Sequence, residues 1–199
     1  MISATEKAFI SEGCASGIRF DGRDVLDFRH MLVENSVFPH VNGSSRVRVA
    51  DGVDVLCSVK VEVGQPSALA PQLGLLDVDV DISPSCNLKA DDRRLMDHGA
   101  HVAQQLHRFV VASNALDLSA LCLVPGKYCW VVCVDLLVLA ADGDPLDACS
   151  IAMYVALNCT KIPKVELFAG ESGALEDFEV CGDLGEALPL DAAQVCAHV

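Results

Sequence analysis

The 199-residue sequence lacks a long uncharged hydrophobic run, a C-x-x-C pair and a surplus of basic residues. A membrane-spanning helix needs about 18 or more apolar residues in succession, so no such helix is predicted. The segment 1–13 is amphipathic and carries charges, which is not the pattern of a signal peptide. Hydrophobic residues make up 52% of the chain, which argues against disorder. These properties predict an intracellular protein with one substantial core.

Basic residues are scarce, since 14 Lys and Arg stand against 28 Asp and Glu, a formal net charge of −14. Proteins that bind nucleic acid on their own usually carry a basic excess, because phosphate contacts supply most of the affinity. Any contact with RNA or DNA would therefore need a small local basic patch, or partners that supply the positive surface.

No C-x-x-C pair occurs among the ten cysteines, which argues against a zinc site. Many lie within apolar patterns, and Cys129 and Cys133 share one face of a predicted strand. Buried free thiols in a reducing compartment are the favoured interpretation, with a catalytic or metal-binding cysteine as the alternative. We predict no metal site and no cofactor.

The segment from Pro125 to Glu166 organises the rest of the chain. Its apolar run, Tyr128 to Ala141, is rich in β-branched and aromatic residues and predicts a central strand. Turn residues occupy 142–145. Small and apolar residues then recur at helical spacing as far as Ile162-Pro163, which predicts a buried helix.

Further elements are predicted around this unit. A capping-box pattern at Ser3 begins a helix over about residues 4–14, and another helix runs from Asp91-Asp92 to about Ser113. The buried stripe of that second helix is expected to contain Leu95, Val102, Leu106, Phe109 and Val110. Predicted strands are His30 to Val37, Ser45 to Ala50, Val53 to Val63, Leu75 to Ile82 and Leu116 to Val124. The pattern predicts an α+β fold, an antiparallel-rich sheet with its core helices on one face.

The strand Leu75 to Ile82 alternates apolar residues with Asp77, Asp79 and Asp81. A solvated strand face is the favoured interpretation, because the ligand spacing of a calcium loop does not accompany the aspartates. A cation-binding strand in an unrelated intracellular binding domain is the alternative. His98 and His101 are interpreted as exposed histidines, since no third metal ligand lies near them in the sequence.

Three segments together resemble the RNase PH-like ring subunits of the RNA exosome. The segments are Arg19 to Arg23, of the form R-x-D-G-R; Leu116-Asp117-Leu118 with Pro125-Gly126-Lys127, Trp130 and Asp135; and Leu146-Asp147-Ala148-Cys149 with Ala156-Leu157-Asn158 and Ile162-Pro163. R-x-D-G-R alone is a weak signal, and a surface turn held by an arginine–aspartate pair is its alternative interpretation. The resemblance extends over nearly the whole chain. It is greatest to the catalytically silent subunit type of archaeal rings and its eukaryotic counterpart.

The resemblance implies an RNase PH fold similar to ribosomal S5 domain 2, in a family whose members are normally longer than this chain. Residues 1–185 would then form the first RNase PH-like domain with its N-terminal helix. Residues 186–199 would begin a second domain that is otherwise missing, so we expect the chain to be truncated at its C-terminus.

Active members of that family degrade RNA by phosphorolysis, which needs a cationic phosphate pocket and an acidic residue near the leaving oxygen. The resemblance places Leu146 where those members have the phosphate-binding arginine, and Cys159 where they have the catalytic aspartate. Asp144 and Asp147 add negative charge that would oppose phosphate by about 1 kcal/mol or more at contact range. We therefore expect no catalytic residues and a structural role that supports 3′–5′ RNA processing and degradation by partner subunits. An active phosphorolytic exoribonuclease is the alternative.

The same resemblance implies other RNase PH-like ring subunits and cap subunits as partners, no membrane, and a location in nucleus, nucleolus and cytoplasm. Candidate RNA contacts are Arg93, Arg94 and Arg108 on the second predicted helix. Arg108 matches an arginine near the RNA path of silent archaeal members. We expect weak, sequence-independent contact with phosphate, and the alternative for each arginine is a solvated surface charge.

Overall fold

The computed structural model describes residues 3–19, 21–50, 52–86, 92–169, 175–180 and 187–190. The chain divides into two compact units, Met1–His30 and Met31–Val199. The first contains helix α1 (Ala4–Ala15). The second contains helices α2 (Asp92–Ala112) and α3 (Leu146–Cys159), a 3-10 turn (Pro84–Cys86), and strands β1 (Met31–Asn35), β2 (Gly43–Val49), β3 (Val53–Gly64), β4 (Leu75–Ile82), β5 (Cys122–Val124), β6 (Tyr128–Ala141), β7 (Lys161–Ile162), β8 (Val165–Ala169), β9 (Leu175–Val180) and β10 (Leu188–Pro189).

The predicted capping box starts α1. The hydroxyl of Ser3 accepts a hydrogen bond from the backbone N–H of Glu6 at 3.2 Å, and the Glu6 carboxylate accepts one from the Ser3 N–H at 3.3 Å. Two otherwise unpaired donors at the helix start are thereby satisfied. The described side chains of α1 are not buried within its unit.

The main sheet has six strands in the order β1-β2-β3-β6-β4, with β5 pairing to β6. The pairs β1–β2, β2–β3, β3–β6 and β5–β6 are antiparallel. Strand β4 runs parallel to β6, because the chain crosses over through α2 before it enters β6. The predicted α+β class and the antiparallel-rich sheet are confirmed. The parallel pairing of β4 with β6 was not predicted.

Alternation along the strands separates a buried face from a wet one. From Trp130 onward the buried side chains of β6 recur at every second residue, and they are Trp130, Val132, Val134, Leu136 and Val138. Helix α2 packs against β4, and α3 packs against β2 and β3. Residues of both helices join the same hydrophobic cluster with these strands, so the core lies between one sheet face and the helix layer.

Close contacts fix α3 against β2. The buried Ser45 hydroxyl donates to the Ala152 carbonyl at 2.7 Å, which provides a partner for a polar group inside the core. Gly43 lies against the end of the helix, where a Cβ atom would come within 2.5 Å of the Ala156 carbonyl oxygen. Beyond the helix, β7 pairs with β10, and the Leu190 N–H donates to the Thr160 carbonyl at 3.0 Å.

The buried stripe of α2 differs from the prediction at one end. Val102, Leu106 and Val110 are buried as expected, whereas Phe109 is 55% exposed and Leu95 only partly buried. Phe109 precedes Val110 by one residue, or about 100° around the helix axis, which places its ring at the margin of the face that meets the sheet. Among the described residues, no helix is both long and apolar enough to cross a membrane.

Candidate functional site

The start of α3 contains Leu146, the position where the family resemblance places the phosphate-binding arginine of active members. The Asp144 carboxylate accepts a hydrogen bond from the Leu146 N–H at 3.2 Å, and the Cys149 N–H donates to the Pro145 carbonyl at 2.9 Å. A helix start presents free N–H groups and partial positive charge, which favour an anion. Here one of those donors already binds a carboxylate of the same chain, and Asp147 adds an exposed acid in the first turn.

The charge at this helix start also acts on the buried thiol of Cys149. Burial, and then the nearby Asp144 carboxylate, raise the pKa of Cys149 to about 12. The thiol is therefore neutral at physiological pH and supplies no charge to the site. The turn before the helix is tied to the β2–β3 connection, since the Asp142 N–H donates to the Gly52 carbonyl at 2.7 Å.

Leu146 lines an apolar cavity of ≈ 290 Å³ between the end of α2 and the start of α3. Its neighbours there include Leu106, Phe109, Val110 and Met153, and none of the described lining residues is basic. A phosphate ion placed beside Leu146 would lose water without gaining a cationic partner from this lining, which is unfavourable. The geometry thus supports the expectation that Leu146 does not bind phosphate.

Cys159 does not lie beside Leu146, because the two are the first and last residues of α3. A straight helix of this length separates its ends by about 20 Å, too far for both side chains to contact one phosphodiester. The structure therefore does not bring the two positions together as halves of one site. The assignment of Cys159 to the catalytic-aspartate position stays a prediction, and the charge argument at the helix start rests on Leu146 with Asp144 and Asp147.

The three predicted RNA contacts lie on α2, and all are exposed. Arg93 and Arg94 occupy its first turn, while Arg108 lines a shallow cleft with His101, Gln104 and other polar residues near the end of the helix. Within the described residues, none of the three arginines takes part in a salt bridge. Their charges are therefore not neutralised by close carboxylates of the described chain.

Sequence reasoning missed the part that His101 could play beside these arginines. Arg94, His101 and Arg108 follow one another at seven-residue intervals, which places them on one helix face about 10 Å apart. His101 is exposed and lies 3.5 Å from the Gln105 amide nitrogen through its Nε2 atom. The heptad spacing was the signal in the sequence. We call these three residues the α2 row.

The aspartates of β4 lie on the opposite, wet face of the sheet. Asp77, Asp79 and Asp81 are exposed or partly exposed, and Asp79 stands directly across from Asp135 of β6. Two like charges in that position repel each other. In the described part of the chain, no group of three or more His, Cys, Asp and Glu side chains is placed to hold a metal ion.

The R-x-D-G-R segment forms the turn after α1, with Phe20 outside the described residues. Arg23 pairs with Asp21 at 2.6 Å, and this hydrogen-bonded arginine holds the pKa of Asp21 below its usual value. Arg23 also donates to the Asp27 carbonyl at 2.8 Å, and Arg19 donates to the Val25 carbonyl. The turn held by an arginine–aspartate pair is therefore present.

Comparison with known proteins assigns the fold to a family. The family described as RNase PH, 3′ exoribonuclease family, domain 1, matches residues 27–163, which is more than half of the chain. The chain therefore belongs to the RNase PH family.

Several curated relatives carry exosome names. The exosome complex component Rrp42 of Methanocella arvoryzae is 32% identical over 196 residues, covering 96% of this chain and 75% of the relative. The exosome complex component rrp43 of Schizosaccharomyces pombe is 30% identical over 159 residues, covering 80% and 58%. Rrp42 of Methanopyrus kandleri is 33% identical over 162 residues, covering 81% and 60%. The chain thus spans about three fifths of the length of two of these relatives.

Solved structures of archaeal exosomes share the fold. A chain of the Archaeoglobus fulgidus exosome with RNA bound to the active site superposes with a TM-score of 0.72 and 29% identity, covering 79% of this chain and 61% of that one. A chain of an archaeal exosome core gives a TM-score of 0.67 and 27% identity, with 87% and 63% covered.

Proposed function

We propose that the chain is a non-catalytic structural subunit of an RNA exosome ring, which supports 3′–5′ RNA processing and degradation by its partners. The observation that carries the proposal is the start of α3, where the Asp144 carboxylate accepts a hydrogen bond from the Leu146 N–H and Leu146 lines an apolar cavity. Phosphorolysis needs a cation there to bind the attacking phosphate. The proposed partners are other RNase PH-like ring subunits and cap subunits, in keeping with the exosome names of the relatives.

Co-expression with candidate RNase PH-like ring subunits tests this role. We expect a stoichiometric complex whose mass, measured by light scattering, equals that of a closed ring. We also expect no release of nucleoside diphosphates when the isolated chain is incubated with RNA and inorganic phosphate. A catalytically competent partner subunit is the positive control for that assay. Phosphate-dependent nucleoside diphosphate release by this chain alone would restore the alternative, an active exoribonuclease.

We further propose that the assembled ring contacts RNA weakly through Arg93, Arg94 and Arg108, with His101 completing the α2 row. Arginine side chains that neutralise phosphates release counterions, so they set the salt dependence of binding without reading sequence. Each arginine is exposed and unpaired among the described carboxylates, which leaves its charge available to a polyanion.

A triple variant, Arg93→Ala, Arg94→Ala and Arg108→Ala, is expected to weaken RNA binding by the ring and to flatten its salt dependence. The slope of log affinity against log salt should fall by about 0.7 for each arginine that contacts a phosphate of single-stranded RNA. Fluorescence anisotropy over a salt series measures it. Lys60→Ala, which removes an exposed cation from the wet sheet face, is the matched control. Equal slopes for the triple variant and the wild type would remove the α2 arginines from the RNA path.

Two further proposals follow from family membership. The first is that residues 1–185 constitute the first RNase PH-like domain and that 186–199 belong to a second; this boundary lies outside the described residues, and of 186–199 the structure describes 187–190. Limited proteolysis of the assembled ring, with the fragments mapped by mass spectrometry, tests it. The second is that the protein resides in the nucleus, the nucleolus and the cytoplasm. A fluorescent fusion confined to one other compartment would contradict that location.

A further inference from the structure

Two cysteines face each other across the hairpin that β5 and β6 form. Cys122 is the register partner of Cys129 in this antiparallel pair, and directly opposed residues project from the same face. The Trp130 N–H donates to the Leu121 carbonyl at 2.8 Å, so the hydrogen bonds flank the two cysteines instead of joining them. Cα atoms in such a non-hydrogen-bonded pair are about 4.5 Å apart, the closest approach in an antiparallel sheet.

That separation lies inside the range that a disulfide requires, about 4.4–6.8 Å between Cα atoms. The pairing also leaves one irregularity nearby, since β5 contains an extra residue between its two paired positions. A bulge of this kind bends the strand and increases its local twist. Both sulfurs are free thiols in the structure.

The two thiols differ in accessibility. Cys122 is partly exposed, with its Sγ atom 3.9 Å from the Pro71 carbonyl, whereas Cys129 is 0% exposed. Burial, with Cys122 as a second contributor, raises the pKa of the Cys129 thiol. A dissolved oxidant would therefore meet Cys122 first, and Cys129 would be positioned beside the product.

We propose that Cys122 and Cys129 form a reversible redox site that reacts with low-molecular-weight disulfides such as oxidised glutathione. The Cys122 thiolate attacks one glutathione sulfur, forming a mixed disulfide and releasing one glutathione thiolate. The Cys129 sulfur then attacks Cys122, closing the cross-strand disulfide and releasing the second glutathione. The two cysteine protons end on the two glutathione thiols, so two cysteine thiols are oxidised and one glutathione disulfide is reduced.

Other cysteines of the described chain lack one of the two requirements. Cys57 and Cys149 lie close enough to interact electrostatically, but both are 0% exposed in the core between β3 and α3. Cys133 lies on the same face of β6 as Cys129, yet its cross-strand partners are Lys60 and Asp77. Cys57 and Cys149 are close together but inaccessible, and Cys133 has no cysteine opposite it. These residues therefore serve as internal controls for the proposed Cys122–Cys129 disulfide.

Peptide mapping of the whole chain after treatment with oxidised glutathione tests the proposal. Lys127 lies between the two cysteines, so trypsin separates them into peptides 109–127 and 128–161. Cys122 is the single cysteine of the first peptide. We expect the two peptides to be joined, with a mass lower than their sum by two hydrogen atoms, fragmentation placing the link at Cys129, and reversal by dithiothreitol.

Cysteine-to-serine variants decide which sulfurs are used. Cys129→Ser should abolish the link and leave Cys122 carrying glutathione, while Cys133→Ser should retain the link. Cys122→Ser, at a partly exposed position that should leave the fold intact, should also abolish it. Oxidation should raise the Tm of the wild type but not that of Cys122→Ser. A wild-type protein in which Cys122 stops at the glutathione adduct, or joins a different cysteine, would overturn the proposal.

Discussion

Replacing Gly99 by alanine is expected to destabilise the fold by about 2–3 kcal/mol, the cost of forcing extra atoms into a packed interface. Gly99 lies in the first half of α2, where the helix presses on the edge strand β4. A Cβ atom at this position would come within 2.3 Å of the Val80 carbonyl oxygen. The obstacle is a backbone atom held in the sheet, so the helix itself has to move away.

Whether Gly99→Ala lowers or raises the free energy of unfolding distinguishes the effect of packing from that of helix propensity. Alanine in place of glycine stabilises an exposed helix position by about 1 kcal/mol. The neighbouring Ala100 is exposed, so Ala100→Gly measures that propensity at almost the same place and should cost about 1 kcal/mol. Urea unfolding followed by circular dichroism compares the two variants. A Gly99→Ala protein as stable as the wild type would show that α2 does not lie against β4 as described.

The contact at Gly99 also bears on the proposed RNA contacts, because the same helix carries the α2 row. Arg94 and Arg108 lie on either side of Gly99 in the sequence, and their spacing depends on one continuous helix. Helix α2 covers one face of the sheet, while Asp77, Asp79 and Asp81 project from the other. The acidic strand is thereby separated from the arginines by the thickness of the sheet, which reconciles a net charge of −14 with a local basic row.

The central strand and the buried helix could be predicted because their patterns are unambiguous. Tyr128 to Ala141 and the helix that follows are bounded by turn residues and proline, and the observed elements agree with them to within a few residues. The direction of β4 could not be predicted in the same way. Alternating valine and aspartate satisfies a parallel or an antiparallel partner equally well, and only the crossover through α2 decides.

The candidate site was predictable only in part, because a sequence shows which residues are present but not how far apart they lie. The identity of residue 146 and its two acidic neighbours can be read directly from the sequence, and their effect on charge follows from Coulomb's law. Distance cannot be read in that way. Leu146 and Cys159 lie within one short segment of the sequence, yet the rise of the helix between them puts them at opposite ends.

The second large effect is expected at Leu136, in the middle of β6. Its side chain is 2% exposed, and its cross-strand partners are Cys57 of β3 and Val80 of β4. Leu136→Ala removes buried methyl groups and leaves a cavity where two neighbouring strands limit collapse. For buried leucines this costs about 3–5 kcal/mol, a large part of the stability of an ordinary domain.

The next residue supplies a control of the same chemistry on the other face. Leu137 is 40% exposed and stands opposite Leu56 and Asp81, so Leu137→Ala should cost less than about 1 kcal/mol. Both variants should be compared by urea unfolding, with the m-value checked for a change in the denatured state. Because side chains alternate strictly along a strand, a one-residue error in register would exchange the two results. A larger loss of stability at Leu137 than at Leu136 would therefore show that the core lies on the other face of the sheet from the one described here. The position of the helix start at Leu146, which packs on that core, would then be wrong as well.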